Sequence, residues 1–264
     1  HEDKLTFSGW FVMNDKGEVL ERHFGKTSIN SDHRFTYEDA QEVLNVKSGK
    51  YFHELNKLNE IAKVLQKQKF DNGAIEFEQE EIKFKLDENG KPIGVYKKAR
   101  LDTHKLVEEY MLLANREVAK FIFDAIKERG KRDTGSIYRI HDIPDQERMA
   151  DLAVFVKALG YDLKNKDGKV TAKDIKSLLK QIQGTQHEAL ISTALIRSMQ
   201  KALYSTKNIG HFGLAFDFYT HFTSPIRRYP DLLIQRILQR HLVHSPFGDK
   251  EIVEFQHIAE SSTA

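Results

Sequence analysis

The chain has 264 residues, 40% of them hydrophobic and 30% charged, and 41 basic residues nearly balance 39 acidic ones for a net charge of +2. That balance belongs to a globular chain long enough for a sizeable core, and it excludes a nucleic-acid binder recognisable by bulk charge alone. The absence of cysteine excludes a disulfide framework and a thiolate metal site.

No apolar run approaches the ~18 residues of a membrane span. The start HEDKLTFSGW has neither the basic nor the apolar region of a signal peptide, so a cytoplasmic chain without membrane partners is expected. The chain runs from His1 straight into a predicted strand, as a piece of something longer would.

In chain order, TFSGWFVMNDKGEVLERHFGKTSI (6–29) predicts a hairpin, its apolar runs flanking the turn sequence NDKG with Gly17 available for positive φ. TYEDAQEVL (36–44) predicts a short helix capped by Thr36. In 51–68, Leu55, Leu58, Ile61, Ala62 and Leu65 follow helical spacing. A second hairpin is expected over 75–96, with DENGK as its turn. Residues 102–127 predict one long helix whose apolar face holds Val107, Met111, Ala114, Val118, Phe121, Ile122 and Ala125. SIYRIHDIPD (136–145) alternates as a strand and stops at Pro144. Helices are expected near 145–159, 171–183 and 187–203, then an irregular or partly extended stretch over 204–222. A helix from Pro225 to about His241 and a last one over 249–262 complete the chain. This is a mixed α/β chain read as one domain, or most of one, over 1–264.

The run HFTSPIRRYPD (221–231) poses the main question. Thr223 or Ser224 is placed as an N-cap and Pro225 as a first helical residue. That sets Arg227 and Arg228 in the first turn, where the helix dipole disfavours cations. Pairing with Asp231 is one explanation. The other is a phosphate held jointly by free N–H groups and an arginine fork.

In HKLVEEYMLLAN (104–115), a helical wheel centred on Val107 puts Glu108 on the flank and Glu109 roughly opposite, so Glu108 is the acid expected to work. His104 and Glu108, four apart, could share a metal ion or simply form a salt-bridged flank. Tyr37 and Phe77 sit at element edges among polar neighbours, placed either to stack on a base or to close the rim of a core. KNKDGKVTAKD (164–174) echoes a calcium loop, but Leu163 at its first position offers no oxygen, and a turn leading into a helix is expected. No tight cluster of aspartates suggests two-metal phosphodiester chemistry.

GHFGLAFDFYTHFTSPIRRYPDLLIQR (210–236) resembles the bacterial ribonuclease R and ribonuclease II exoribonucleases, an RNB-type family, and ribonuclease R more closely. GAIEFEQEEIKF, HKLVEEYMLLAN and SIYRIHDIPD resemble the same family in the same order. The resemblance implies processive, Mg²⁺-dependent hydrolysis of single-stranded RNA from the 3′ end to nucleoside 5′-monophosphates, by an α/β catalytic core of β-hairpins and strands packed by helices. It implies that Arg227 clamps the scissile phosphate, with Arg228 as a neighbouring phosphate or structural contact. His221 and Ser224 of the same motif are expected at the RNA. Glu108 and Tyr37 would lie near the terminal nucleotides, and Phe77 would close the stack of 3′-terminal bases.

The family's magnesium-binding aspartates would lie before His1, another catalytic glutamate after Ala264, and the flanking cold-shock-like and OB-fold modules outside the chain. The expectation is therefore a monomeric partial catalytic domain with no metal site of its own and little or no activity alone. The rival expectations are a non-catalytic RNA-binding adaptor and a metalloprotein centred on His104 and Glu108.

Overall fold

The computed structural model describes residues 2–75, 82–97, 100–128, 135–164, 170–245 and 247–263. Strands β1 (Lys4–Met13) and β2 (Val19–Ile29) form the expected hairpin, paired from Lys4↔Ile29 to Met13↔Val19. Gly17 takes φ +74° in its turn, a conformation that costs glycine little. Helix α1 (Tyr37–Val46) starts as predicted, with the Thr36 hydroxyl accepting from the Asp39 N–H at 3.0 Å. Helix α2 (Phe52–Asp71) follows. The second hairpin, β3 (Ile82–Leu86) with β4 (Pro92–Lys97), is antiparallel and leaves Ile82, Phe84, Ile93 and Val95 exposed.

Helix α3 (Asp102–Glu128) is the central element. Its C-terminal half buries the expected Val118 and Ile122, with Ala114 and Phe121 packed against the core, but its N-terminal half differs: Val107 is exposed, while Leu106, Glu109, Leu112 and Leu113 are buried. The reason lies in α2, which packs along this side and supplies Lys69 to neutralise Glu109. A charged residue on the covered face misleads a count of apolar letters.

Strand β5 (Tyr138–Ile140) pairs antiparallel with β6 (Leu203–Ser205). Between them lie α4 (Gln146–Ala158), α5 (Ala172–Ile182) and α6 (Glu188–Ser198). Helix α6 is shorter than the predicted 187–203, because the chain turns extended at Met199 (ψ 155°) and the following residues join the sheet instead. Helix α5 opens with a capping box in which Thr171 and Asp174 satisfy each other's backbone N–H. Asp174, the last position of the calcium-like stretch, is thereby used as a helix cap; Asn165, Asp167 and Gly168 lie outside the described residues.

Helices α7 (Tyr229–Leu242) and α8 (Asp249–Ser261) close the chain. One core joins Val118, Ile122 and Ile126 of α3 with Leu233, Ile234, Ile237 and Leu238 of α7 and Phe255 of α8. A second core is built from Met149, Leu152 and Val156 of α4, Ile175 and Leu178 of α5, and Ile191 and Leu195 of α6. Among the described residues no helix is long and apolar enough to cross a membrane.

Candidate functional site

The site grows from the irregular segment between β6 and α7. A segment without regular structure must still pair its buried backbone groups, and here other elements pair them. Arg139 N–H in β5 donates to the Tyr219 carbonyl at 2.9 Å. Phe222 N–H donates to Asn115 Oδ1 at 2.9 Å, and the Phe222 carbonyl accepts from Gln235 Nε2 at 3.2 Å. Ser224 N–H donates to Asp231 Oδ1 at 2.7 Å. Upstream, Gly213 N–H donates to His141 Nδ1 at 3.0 Å, and a Cβ at Gly213 would stand 2.9 Å from that nitrogen, so only glycine fits. The segment is clamped on every side.

The two arginines do not open a helix at Pro225. Residues 225–227 form a single turn, with the N–H groups of Arg227 and Arg228 both donating to the Ser224 carbonyl at 3.3 and 3.1 Å. Arg228 is extended (φ −134°, ψ 118°) and α7 begins at Tyr229, with Pro230 in its first turn. A helix running on from Pro225 would put Pro230 in its interior, where the ring strikes the carbonyl four residues back and an N–H is lost. Neither Thr223 nor Ser224 is the N-cap, therefore, and the N–H groups of Arg227 and Arg228 are already taken.

The two guanidiniums have different fates. Asp231 is fully buried and faces Arg228 at two points, Nη2 to Oδ1 at 2.9 Å and Nε to Oδ2 at 2.8 Å. Arg227 is exposed, and no carboxylate among the described residues lies within ion-pair distance of it. One carboxylate satisfies one guanidinium, and among the described residues the other faces no acid.

Behind the arginines stands an aromatic wall. The Arg139 guanidinium sits over the Tyr204 ring at 4.7 Å, and the Tyr204 hydroxyl lies 2.6 Å from His221 Nδ1. Tyr219 meets His221 edge-on at 5.5 Å and His211 at 5.3 Å. Burial, then the Arg228, Arg139, His211 and Arg227 charges, push the His221 pKa down to about 3. Burial and the neighbouring His141 push His211 down to about 3 as well. Both rings are neutral near pH 7. A cationic ledge backed by uncharged aromatic rings suits a phosphate and a base together.

The second predicted group is assembled at the start of α3. Thr103 Oγ1 donates to the Tyr37 carbonyl at 2.9 Å, and the Tyr37 ring stacks on His104 at 4.1 Å and 15°. Glu108 is half-exposed and paired with Arg100. The expected wheel is corrected on its other acid: Glu109 is 4% exposed and paired with Lys69 rather than facing solvent. Glu108 and Asn115 are seven residues apart, two turns on one face and ~10.5 Å along the axis. Helix α3 thus links the Tyr37 group to the segment that Asn115 holds.

His104 and Glu108 each have other partners, and no group of three or more metal-ligating side chains occurs among the described residues. Phe77 lies outside the described residues. Sequence reasoning missed Arg139, Tyr204, Tyr219 and Asn115, whose only sequence signal is a polar or aromatic letter inside an apolar run.

Residues 1–244 match the RNB domain model. The chain is 32% identical over 248 residues to ribonuclease R of Aquifex aeolicus, covering 92% of this chain and 34% of that protein. It is 34% identical over 259 residues to ribonuclease R of Thermotoga maritima, covering 96% and 35%. The chain therefore spans about a third of the length of the curated relatives it matches. Among solved structures it is similar to Mycoplasma genitalium RNase R in complex with ribose-methylated single-stranded RNA, with a TM-score of 0.86 at 25% identity over 99% of this chain and 41% of that one. A complex of the same protein with double-stranded RNA also gives 0.86 at 25% identity, with 99% and 47% covered. The likeness to yeast Ssd1, a pseudonuclease, has a TM-score of 0.71 at 20% identity over 99% of this chain and 32% of that one, and shows a shared fold. With a family match across most of its length and ribonuclease R relatives aligned along it, this chain belongs to the RNB-domain exoribonuclease family.

Proposed function

We propose that this chain supplies the RNA-gripping part of a 3′→5′ exoribonuclease site, with Arg227 as the clamp on a backbone phosphate. The observation that carries the reading is the asymmetry of the arginine pair. Asp231 holds Arg228 and, through Ser224, the whole turn, while the planar fork of Arg227 is exposed and has no counter-ion among the described residues. Glu108, two turns before Asn115 on α3, and Tyr37, stacked on His104 beside it, would meet the terminal nucleotides, and Phe77 would close their stack. In the intact protein the site would hydrolyse single-stranded RNA to nucleoside 5′-monophosphates, with Mg²⁺ supplied by acids outside the described set.

Direct measurement separates binding from chemistry. A labelled single-stranded oligoribonucleotide is titrated with the chain in EDTA, then incubated with it in Mg²⁺. The expected result is saturable binding that Arg227→Ala weakens about tenfold, with hydrolysis at background. Absence of binding, or binding indifferent to Arg227→Ala, overturns the reading. Hydrolysis that Arg227→Ala abolishes would show that the chain also holds its own metal.

A second reading, an RNA-binding protein without chemistry, is favoured by the lack of converging metal ligands among the described residues. Four clustered aspartates in the sequence ahead of His1 would decide for the enzyme, and their absence for the binder.

A further inference from the structure

His221 has its two ring nitrogens in different settings. Nδ1 lies 2.6 Å from the Tyr204 hydroxyl. Nε2 has no hydrogen-bond partner among the described residues, yet it is not among the buried unpaired atoms, so it reaches solvent. The contrast with His141 is informative. There Nδ1 accepts from Gly213 N–H and Nε2 lies 2.9 Å from the Gln200 carbonyl, so the protein uses both nitrogens.

The direction of the Tyr204–His221 bond follows from counting protons. A phenol has one proton and an imidazole in its neutral form has one. If His221 Nδ1–H donated, the Tyr204 proton would need another acceptor, and none lies within reach among the described residues. If Tyr204 donates, one bond satisfies both atoms. The Arg139 cation over the Tyr204 ring at 4.7 Å draws electron density from the phenol, making it a better donor and a poorer acceptor. The hydroxyl proton therefore belongs to Tyr204 and points at Nδ1.

We propose that Arg139 and Tyr204 act as positioning residues that lock His221 in its neutral Nε2–H form, so that His221 donates a hydrogen bond to the RNA phosphate gripped by Arg227. This rests on the RNA reading above. A histidine that bound phosphate as an imidazolium would grip more tightly in acid. This one is set against that: Arg139 from β5, Arg227 and Arg228 from the turn and His211 from the segment before it all oppose a second proton. The counter-charge of Asp231 is already engaged by Arg228. Tyr219, edge-on to the ring at 5.5 Å, fixes its plane. Arg227 supplies charge and His221 supplies direction.

The test is nitrogen NMR of the full chain labelled at histidine, with the His221→Gln spectrum identifying the resonances. A pyridine-like Nδ1 and a pyrrole-like Nε2, unchanged between pH 7.5 and 5.5, are expected. Adding the oligoribonucleotide in EDTA should move Nε2 alone. Tyr204→Phe keeps the ring under Arg139 and removes the proton, so the Nδ1–H form should appear and affinity fall severalfold. His221→Gln retains an N–H near the Nε2 position and should bind within about threefold of the parent, whereas His221→Leu should lose about tenfold. An Nδ1–H ring, an imidazolium at pH 5.5, or Tyr204→Phe shifts identical to the parent would overturn the proposal. The expected spectrum in a chain that binds no RNA would instead overturn the RNA reading, and the ligand given to His221 with it.

Discussion

Asp231 and Arg228 form a closed pair: the carboxylate is wholly buried, and both of its oxygens lie within 2.9 Å of the guanidinium. The same carboxylate holds Ser224 N–H at 2.7 Å, so the pair anchors the turn that displays Arg227. Removing one partner of a buried ion pair strands the other and costs about 3–5 kcal/mol. Arg228→Ala should therefore lower the urea midpoint strongly, while Arg227→Ala should stay within about 0.5 kcal/mol of the parent and still weaken RNA binding. Equal stability losses in the two variants would show that the arginines share one role.

Lys69 and Glu109 make a second buried pair, 8% and 4% exposed, between α2 and α3. Glu109→Gln should destabilise by about 3–5 kcal/mol, and replacing both partners with Met and Leu should recover most of that loss, because no charge is then left in the core. Glu108→Gln, on a half-exposed pair with Arg100, should change stability by less than about 1 kcal/mol. Urea unfolding of the four proteins checks all of this at once. A Glu108 loss as large as that of Glu109 would contradict the burial pattern.

Local features were readable from the letters because they are set locally. NDKG makes its hairpin and Thr36 caps its helix, each within a few residues. What failed was set from a distance. A helical wheel centres α3 on Val107 because Glu109 counts as polar, and its neutralising partner Lys69 lies forty residues earlier. A proline after Thr and Ser is a start signal and points to Pro225, but Pro230 is the proline the helix uses.

The candidate site was legible as a motif and not as a network. HFTSPIRRYPD marked both arginines, but only Asp231 reaching back to Ser224 and Arg228 tells which is bound. Tyr204 lies seventeen residues before His221 in an unrelated-looking run, and Arg139 sits in another strand. Three segments must pair before the histidine has a tautomer, and no spacing rule encodes that.

Replacing Arg227 with lysine separates charge from shape. Lysine keeps the positive charge but loses the planar fork. Arg227→Lys should therefore retain most of the salt dependence of RNA binding, whereas Arg227→Ala should reduce the slope of log K against log salt by about one phosphate contact, ~0.7 for a single strand. In an intact protein with hydrolytic activity, Arg227→Lys should slow cleavage far more than it weakens binding. Identical slopes for the parent and Arg227→Ala would remove Arg227 from the phosphate backbone.

Acid should destabilise the chain earlier than carboxylate titration would. His211 and His221 are held near a pKa of about 3 by burial and neighbouring positive charge, against about 6.5 in an unfolded chain. Between those values the unfolded state binds more protons, so stability is full above pH 6.5 and is lost as pH falls towards 3. From pH 7.5 to 5.5 each ring contributes a loss of about 1.4 kcal/mol. Urea unfolding across that interval should show the midpoint falling steadily, and His211→Gln should remove part of the histidine share of the slope, to which His141, pushed down by burial, also contributes. A midpoint that holds level, or rises, between pH 7.5 and 5.5 would mean that both rings gain their second proton as easily folded as unfolded, and the neutral wall behind Arg227 would not exist.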